Sequence, residues 1–388
     1  MTIARILLVW GLSLLFLAMP VSAEPQEEGT ADEMAGRTDP VLPNVTARSA
    51  VVMEASTGRV IYARDMKARR FPASTTKAMT LIVALEKGNP DDIVVVSGHA
   101  AGTDGSTLWL EQGDRIRLED LLYGIMMVSG NDGTVAIAEH IAGSVESFAG
   151  MMTKKAHEIG ASDTFFVNSH GLPDERHYTT AYDMALIASY GYRNPRFLDI
   201  VSTKEKSVPW TRDAEQFWRN ENQMLWLYEG ANGVKTGYTE AAGRCLVAGA
   251  KRNGIQLVSV VLDSIYMWND TIAMLDYGFQ HIRTVQIVKK GETVAELPVL
   301  SGRRKLMPIK TAGELDVPVG DDGTAGYEKV YDLPNHLKAP VRAGDSVGKA
   351  RVLYEGREVG SVELVAAESA EMKSFFMTVY QLLMKYIH

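Results

Sequence analysis

The chain has 388 residues, and its 40 Lys and Arg against 48 Asp and Glu leave a formal charge of −8. With no run of basic residues, that balance excludes nucleic acid as an expected partner. A single cysteine, Cys245, rules out an intramolecular disulfide, and its neighbours Leu246-Val247-Ala248 mark it as a buried strand residue.

In chain order, Arg5 is followed by an uncharged run, Ile6 to Ala23, closing on the small residues Val21-Ser22-Ala23. A basic start, an apolar run and a small-residue exit describe a secretory signal over 1–23, with an uncleaved membrane helix as the alternative. Export is the expectation either way, to the periplasm or the outer face of the cytoplasmic membrane. Residues 24–47 are rich in Glu, Asp, Gly and Pro and read as a flexible leader. What remains is long enough for two domains.

Ala50–Met53 and Arg59–Tyr62 flank Ser56-Thr57-Gly58 and predict a hairpin. Helices are expected from about Ser74 through Leu85, Leu118 to Val128, Thr134 to Ile141, Val145 to Ile159, and Tyr182 to Tyr190. Short strands follow at Gly233–Tyr238, Arg244–Ala250 and Gln256–Leu262, and a last helix spans Met267–Ile282. Strand, helices, strands predicts an α+β domain over 48–283, with the early hairpin and the late meander sharing one antiparallel sheet. Beyond it, Val285–Val288, Thr293–Leu297, Ala350–Tyr354 and Val359–Val365 alternate around Gly turns and predict a small all-β domain over 284–366. In the tail, 367–388, Met372, Phe375, Phe376, Val379, Leu382, Leu383, Tyr386 and Ile387 fall on one helical face opposite Ser374, Thr378, Gln381 and Lys385. That pattern predicts an amphipathic helix lying in a membrane surface, too polar to span it.

Three strings carry chemistry. In Ser74-Thr75-Thr76-Lys77, positions i and i+3 share a helix face, so the amine can reach the hydroxyl. A serine needs a base, and lysine becomes one when burial and neighbouring cations lower its pKa. Ser129-Gly130-Asn131 breaks two helices and can project a relay hydroxyl and an orienting amide. Lys235-Thr236-Gly237 lies on a strand, where Gly237 lets a substrate approach the backbone and the two side chains offer a cation and a hydroxyl to a carboxylate. Each string alone is weak: a capped helix, a plain loop or a surface strand would read the same.

Their order and spacing are more specific, with Ser129 lying 55 residues after Ser74 and Lys235 a further 106 on. Together with Phe71-Pro72-Ala73, Asp132, Gly233-Val234, Tyr238-Thr239, Asn168-Ser169-His170-Gly171-Leu172 and Tyr178-Thr179-Thr180-Ala181-Tyr182-Asp183, they resemble the D-alanyl-D-alanine carboxypeptidases, the low-molecular-mass penicillin-binding proteins. The resemblance runs from about residue 45 to the end. It implies a penicillin-binding, β-lactamase-like domain, then the β domain and the amphipathic helix. It implies Ser74 as nucleophile and Lys77 as its base, with Ser129 and Lys235 moving the proton to the leaving D-alanine. Asn131 would position the substrate amide, Lys235 and Thr236 would hold its carboxylate beside Gly237, and the N–H groups of Ser74 and Tyr238 would form the oxyanion hole. The substrate implied is the peptidoglycan pentapeptide, with β-lactams as inhibitors and no metal or cofactor. Where the family often places a carboxylate-binding arginine, this chain reads Ser264-Ile265-Tyr266-Met267-Trp268-Asn269-Asp270. His170 is expected to line the site, and His140 and His177 to be structural or solvated. A class A β-lactamase would need a deacylating glutamate, for which residues 160–180 offer only Glu175, and a penicillin-sensing or scaffolding protein would keep the same strings without peptide hydrolysis.

Overall fold

The computed structural model describes residues 42–210, 215–374, 379–380 and 383–384. The expected signal, most of the leader and most of the tail helix lie outside them. The chain enters earlier than the leader boundary suggests. Val45 and Ala47 are buried, and the backbone N–H groups of Thr46 and Ala47 both donate to the Asp270 carboxylate at 3.0 Å.

The hairpin forms from Ser49–Glu54 and Val60–Arg64, reversed at Gly58, whose φ of +78° suits a residue without Cβ. The first strand then pairs with Ile255–Ser264, Val51 facing Val260, and Gly243–Arg252 and Ala231–Thr239 complete a five-stranded antiparallel sheet. Hairpin and meander share that sheet, as the strand–helix–strand order predicted. Period-two alternation divides the side chains between its faces. Val51, Met53, Val247, Val258 and Val260 join the large helical core. Ala50, Val52, Leu246, Leu257 and Val261 pack with Met274 and Leu275 of the helix Met267–Gln280. A one-residue slip would exchange the two sets, so burial on both faces fixes the register.

The helical layer consists mainly of Lys77–Lys87, Leu118–Met127, Asn131–Ala142, Val145–Ile159 and Ala181–Gly191. The first helix departs from the expectation at its start. Ala73–Thr76 forms a 3-10 turn, and the α-helix proper begins at Lys77. Elements the sequence reading did not name also appear: the helix Pro195–Ser202, whose Asn194 cap, Pro195 and apolar Phe197, Ile200 and Val201 were a usable signal, and the pair Glu205–Pro209 with Glu215–Arg219.

The C-terminal β domain holds a six-stranded sheet with Arg357–Ala366 and Leu306–Thr311 at its centre, and a separate pair of Arg283–Val288 with Leu315–Val319. It meets the hairpin through Arg59, which donates to Asp322 at 2.6 Å and lies over the Tyr354 ring. Its last strand-like segment runs past the expected end at 366. Ala370 is buried and exchanges both backbone hydrogen bonds with Val341, and Met372 bridges Gly302. An amphipathic helix therefore does not begin at 367. The edge donors and acceptors of the β domain hold residues 368–374 extended, because unpaired backbone groups there would otherwise be left over. Among the described residues, no helix is long and apolar enough to cross a membrane.

Candidate active site

Ser74 sits on the 3-10 turn, and that geometry matters. At three residues per turn, positions i and i+3 eclipse each other more closely than in an α-helix. The Lys77 ammonium accordingly reaches the Ser74 hydroxyl oxygen at 2.9 Å. Ala73, just before, has φ +47° and is fully buried, which turns the chain sharply into the site. Gly171 packs directly against this bend, where a Cβ would fall 1.9 Å from the Ala73 carbonyl oxygen.

Lys77 is wholly buried, and its Nζ also donates to Asn131 Oδ1 at 2.7 Å and to the His170 carbonyl at 3.0 Å. Among the described residues no carboxylate pairs with it. Burial, reinforced by the nearby Lys235 ammonium, holds its pKa well below the usual lysine range. A buried amine whose three neighbours are neutral oxygens is suited to existing unprotonated and taking a proton from Ser74.

The helix break delivers the second group. Ser129 takes φ +66° and is buried, and Asn131 opens the next helix. Asn131 is clamped at both ends of its amide, since Nδ2 donates to the Asp104 carbonyl at 2.7 Å while Oδ1 holds Lys77. Asp132 fixes the opposing loop by accepting from the N–H groups of Leu108 and Leu110. Ser129 makes no hydrogen bond to Ser74, Lys77 or Lys235 among the described residues.

The third string faces the first across the sheet edge. A Cβ on Gly237 would stand 2.8 Å from the Ser74 nitrogen and 3.0 Å from that of Thr75. Only glycine lets the strand approach Ser74 this closely. Lys235 is buried, its pKa lowered to about 8 by desolvation and partly restored by Glu221, whose carboxylate lies 3.8 Å away. Its Nζ donates to the Thr236 hydroxyl at 3.4 Å, and Tyr238 beyond it is exposed.

Other titratable groups step aside. His170 and His177 are pushed down to about 3 and about 4 by burial. His177 braces Thr76 at 2.9 Å, and His170 accepts from the Leu172 N–H, so each ring supports a loop. Burial pushes the Cys245 thiol up to about 12, far from a nucleophilic thiolate. The segment 264–270 contains no arginine, while Arg244 lies cross-strand from both Tyr238 and Ser264. Sequence reading missed the His170 carbonyl, the Asp104 carbonyl and Glu221. The first two are backbone groups that no residue type announces, and Glu221 lies in a loop without a motif.

A serine hydroxyl beside a buried lysine amine, with a second lysine and a glycine-edged strand opposite, is an arrangement suited to serine acyl transfer. The chain matches the D-alanyl-D-alanine carboxypeptidase family over residues 36–265 and the penicillin-binding protein 5 C-terminal domain over 283–372. It belongs to that carboxypeptidase family. It is 36% identical to the D-alanyl-D-alanine carboxypeptidase DacF of Bacillus subtilis, across 86% of this chain and 87% of that one. Identity to the Escherichia coli DacD is 32%, over 87% and 90%. Among solved structures, penicillin binding protein 5 of Haemophilus influenzae superimposes with a TM-score of 0.62 at 29% identity, over 85% of this chain and 98% of that one. A Streptococcus pneumoniae peptidoglycan synthesis regulatory factor, PBP3, gives 0.71 at 25%, over 84% and 100%.

Proposed function

We propose that the protein removes the terminal D-alanine from peptidoglycan stem peptides through an acyl-enzyme on Ser74. The observation carrying this reading is the 2.9 Å contact between the Ser74 hydroxyl and a buried Lys77 amine that has no ion-pair partner among the described residues. Lys77 takes the hydroxyl proton as Oγ attacks the carbonyl of the penultimate D-alanine. Negative charge gathering on the carbonyl oxygen meets the N–H groups of Ser74 and Tyr238, donors already fixed before reaction. Lys235, still cationic below about pH 8, and Thr236 hold the terminal carboxylate. Ser129 passes the proton to the departing amine, and Asn131 holds both Lys77 and the substrate amide. Water, activated by Lys77, then releases the shortened peptide. A β-lactam presents a similar carbonyl beside a carboxylate and acylates the same oxygen.

The apolar N-terminal run supports export, and the amphipathic sequence from Phe375 supports peripheral attachment to the outer face of the membrane. The decisive assay incubates the full chain with diacetyl-Lys-D-Ala-D-Ala and measures free D-alanine. Release that disappears in Ser74→Ala supports the reading; equal release from that variant would refute it. Turnover of benzylpenicillin at tens per second would instead favour a β-lactamase. Glu175 is exposed, and among the described residues no carboxylate is hydrogen-bonded to Ser74.

A further inference from the structure

The loop between the strand Glu215–Arg219 and the short helix Met224–Leu227 carries an acidic residue, Glu221, between two buried asparagines. That loop is fixed from both sides. The Asn220 N–H and side-chain amide donate to the Lys204 and Thr203 carbonyls at 2.8 and 2.9 Å, and the Asn222 side chain accepts from the Met224 N–H at 3.1 Å. The Glu221 N–H itself donates at 2.9 Å to the carbonyl of Met127, just before Ser129. A rigid backbone therefore presents a half-exposed carboxylate to the site, 3.8 Å from the Lys235 ammonium.

The separation decides what this contact can do. At 3.8 Å the pair attracts by charge but is too long for a hydrogen bond, and the Thr236 hydroxyl at 3.4 Å is a distant acceptor as well. Lys235 thus has a counter-charge, while its N–H donors can still turn to the closer oxygens of an incoming carboxylate. The other charged and titratable groups around it do not take this role. Lys77, from the first helix, is a like charge, and burial holds His170 neutral. Asp132 is committed to the N–H groups of Leu108 and Leu110. Arg219 lies over the Trp226 ring and pairs with Glu205 at 3.8 Å, so among the described residues Glu221 faces Lys235 without a competing cation.

We propose that Glu221 is a positioning residue for acylation, a resident counter-ion that keeps Lys235 cationic for the incoming carboxylate without occupying its donors. The inference rests on the reading, under the proposed function, of Lys235 as the group that receives that carboxylate. Glu221 acts in one direction on both lysines, since its charge favours the protonated form of Lys77 as well. Removing it should therefore move both limbs of the pH–rate profile towards acid pH. For a half-exposed carboxylate at 3.8 Å, the shift is about half to one pH unit.

The test follows acylation of the full chain by benzylpenicillin, which carries its own carboxylate, using mass spectrometry between pH 5 and 10. Glu221→Gln should shift both limbs by that amount, and Glu221→Lys, which reverses the charge, should shift them further the same way. A purely structural lesion would lower the maximum and leave the limbs in place. Limbs unmoved in Glu221→Gln, or a shift that does not grow in Glu221→Lys, overturn the proposal. Because the readout is β-lactam acylation, it does not depend on peptide hydrolysis. Native protein that is acylated but releases no D-alanine defeats the carboxypeptidase reading, and the limbs still decide the role of Glu221. Native protein that is not acylated at all defeats both.

Discussion

Lys235→Met separates what the site needs from what the fold prefers. Lys235 is 1% exposed, and burial lowers its pKa from 10.5 to about 8. At about 1.4 kcal/mol per pH unit, keeping that charge buried at pH 7 costs about 3 kcal/mol of stability relative to a neutral side chain. Methionine has similar length and no charge, so the variant should be more stable by about 2–3 kcal/mol. The sign with pH is fixed. A lysine whose folded pKa is depressed is destabilising while charged, and the deficit shrinks as pH rises from about 8 towards 10.5. The advantage of the variant should thus fall to about 1.4 kcal/mol at pH 9.5 and vanish above 10.5. Loss of the second ammonium also lets Lys77 charge more easily, a change of the same direction. Glu221, left without its partner, is half-exposed and screened by water. Urea denaturation at pH 7 and 9.5 measures both values, while D-alanine release should drop by at least about a hundredfold. A variant less stable than the parent at pH 7, or a gain that does not shrink with pH, would refute the account of Lys235 as a strained buried cation.

The same two lysines shape the pH–rate profile. kcat/KM should rise as Lys77 loses its proton and fall above about pH 8 as Lys235 loses its own; Lys235→Arg, which stays charged, should remove the alkaline fall. Gly237→Ala places a methyl 2.8 Å from the Ser74 nitrogen, against backbone that cannot move aside. Its acylation by benzylpenicillin, followed by mass spectrometry, should slow by about two orders of magnitude, and a parental rate would show the close approach to be irrelevant. Ala370→Asp buries a carboxylate in the edge pairing with Val341 and should destabilise the β domain by about 2–4 kcal/mol in thermal melts; no change would return residues 368–374 to the tail.

Much of the molecule was legible because its signals are local. The continuous apolar run Ala50-Val51-Val52-Met53 follows from a sheet covered on both faces, and such runs between turn residues located the strands. The three strings at their intervals picked out Ser74, both lysines and Gly237, which the fold brings together. The helix Pro195–Ser202 escaped notice because it is only about two turns long, although its Asn194 cap and apolar spacing are local signals; folding holds it against the Lys-Thr-Gly strand and the helix Leu118–Met127. Likewise, the extended segment after 366 depends on partners at Val341 and Gly302, far from it in sequence.

For Ser74 the division is plain. Sequence by itself determined which hydroxyl, which amines and which glycine could form the centre, since residue type fixes what a side chain can donate or accept. Only the tertiary structure decided that Lys77 is sealed from water, that its other partners are the Asn131 amide and the His170 carbonyl, and that Lys235 lies close enough to discourage its protonation. A pKa depends on solvent exclusion and on charges brought near by folding, and neither quantity exists along the chain alone.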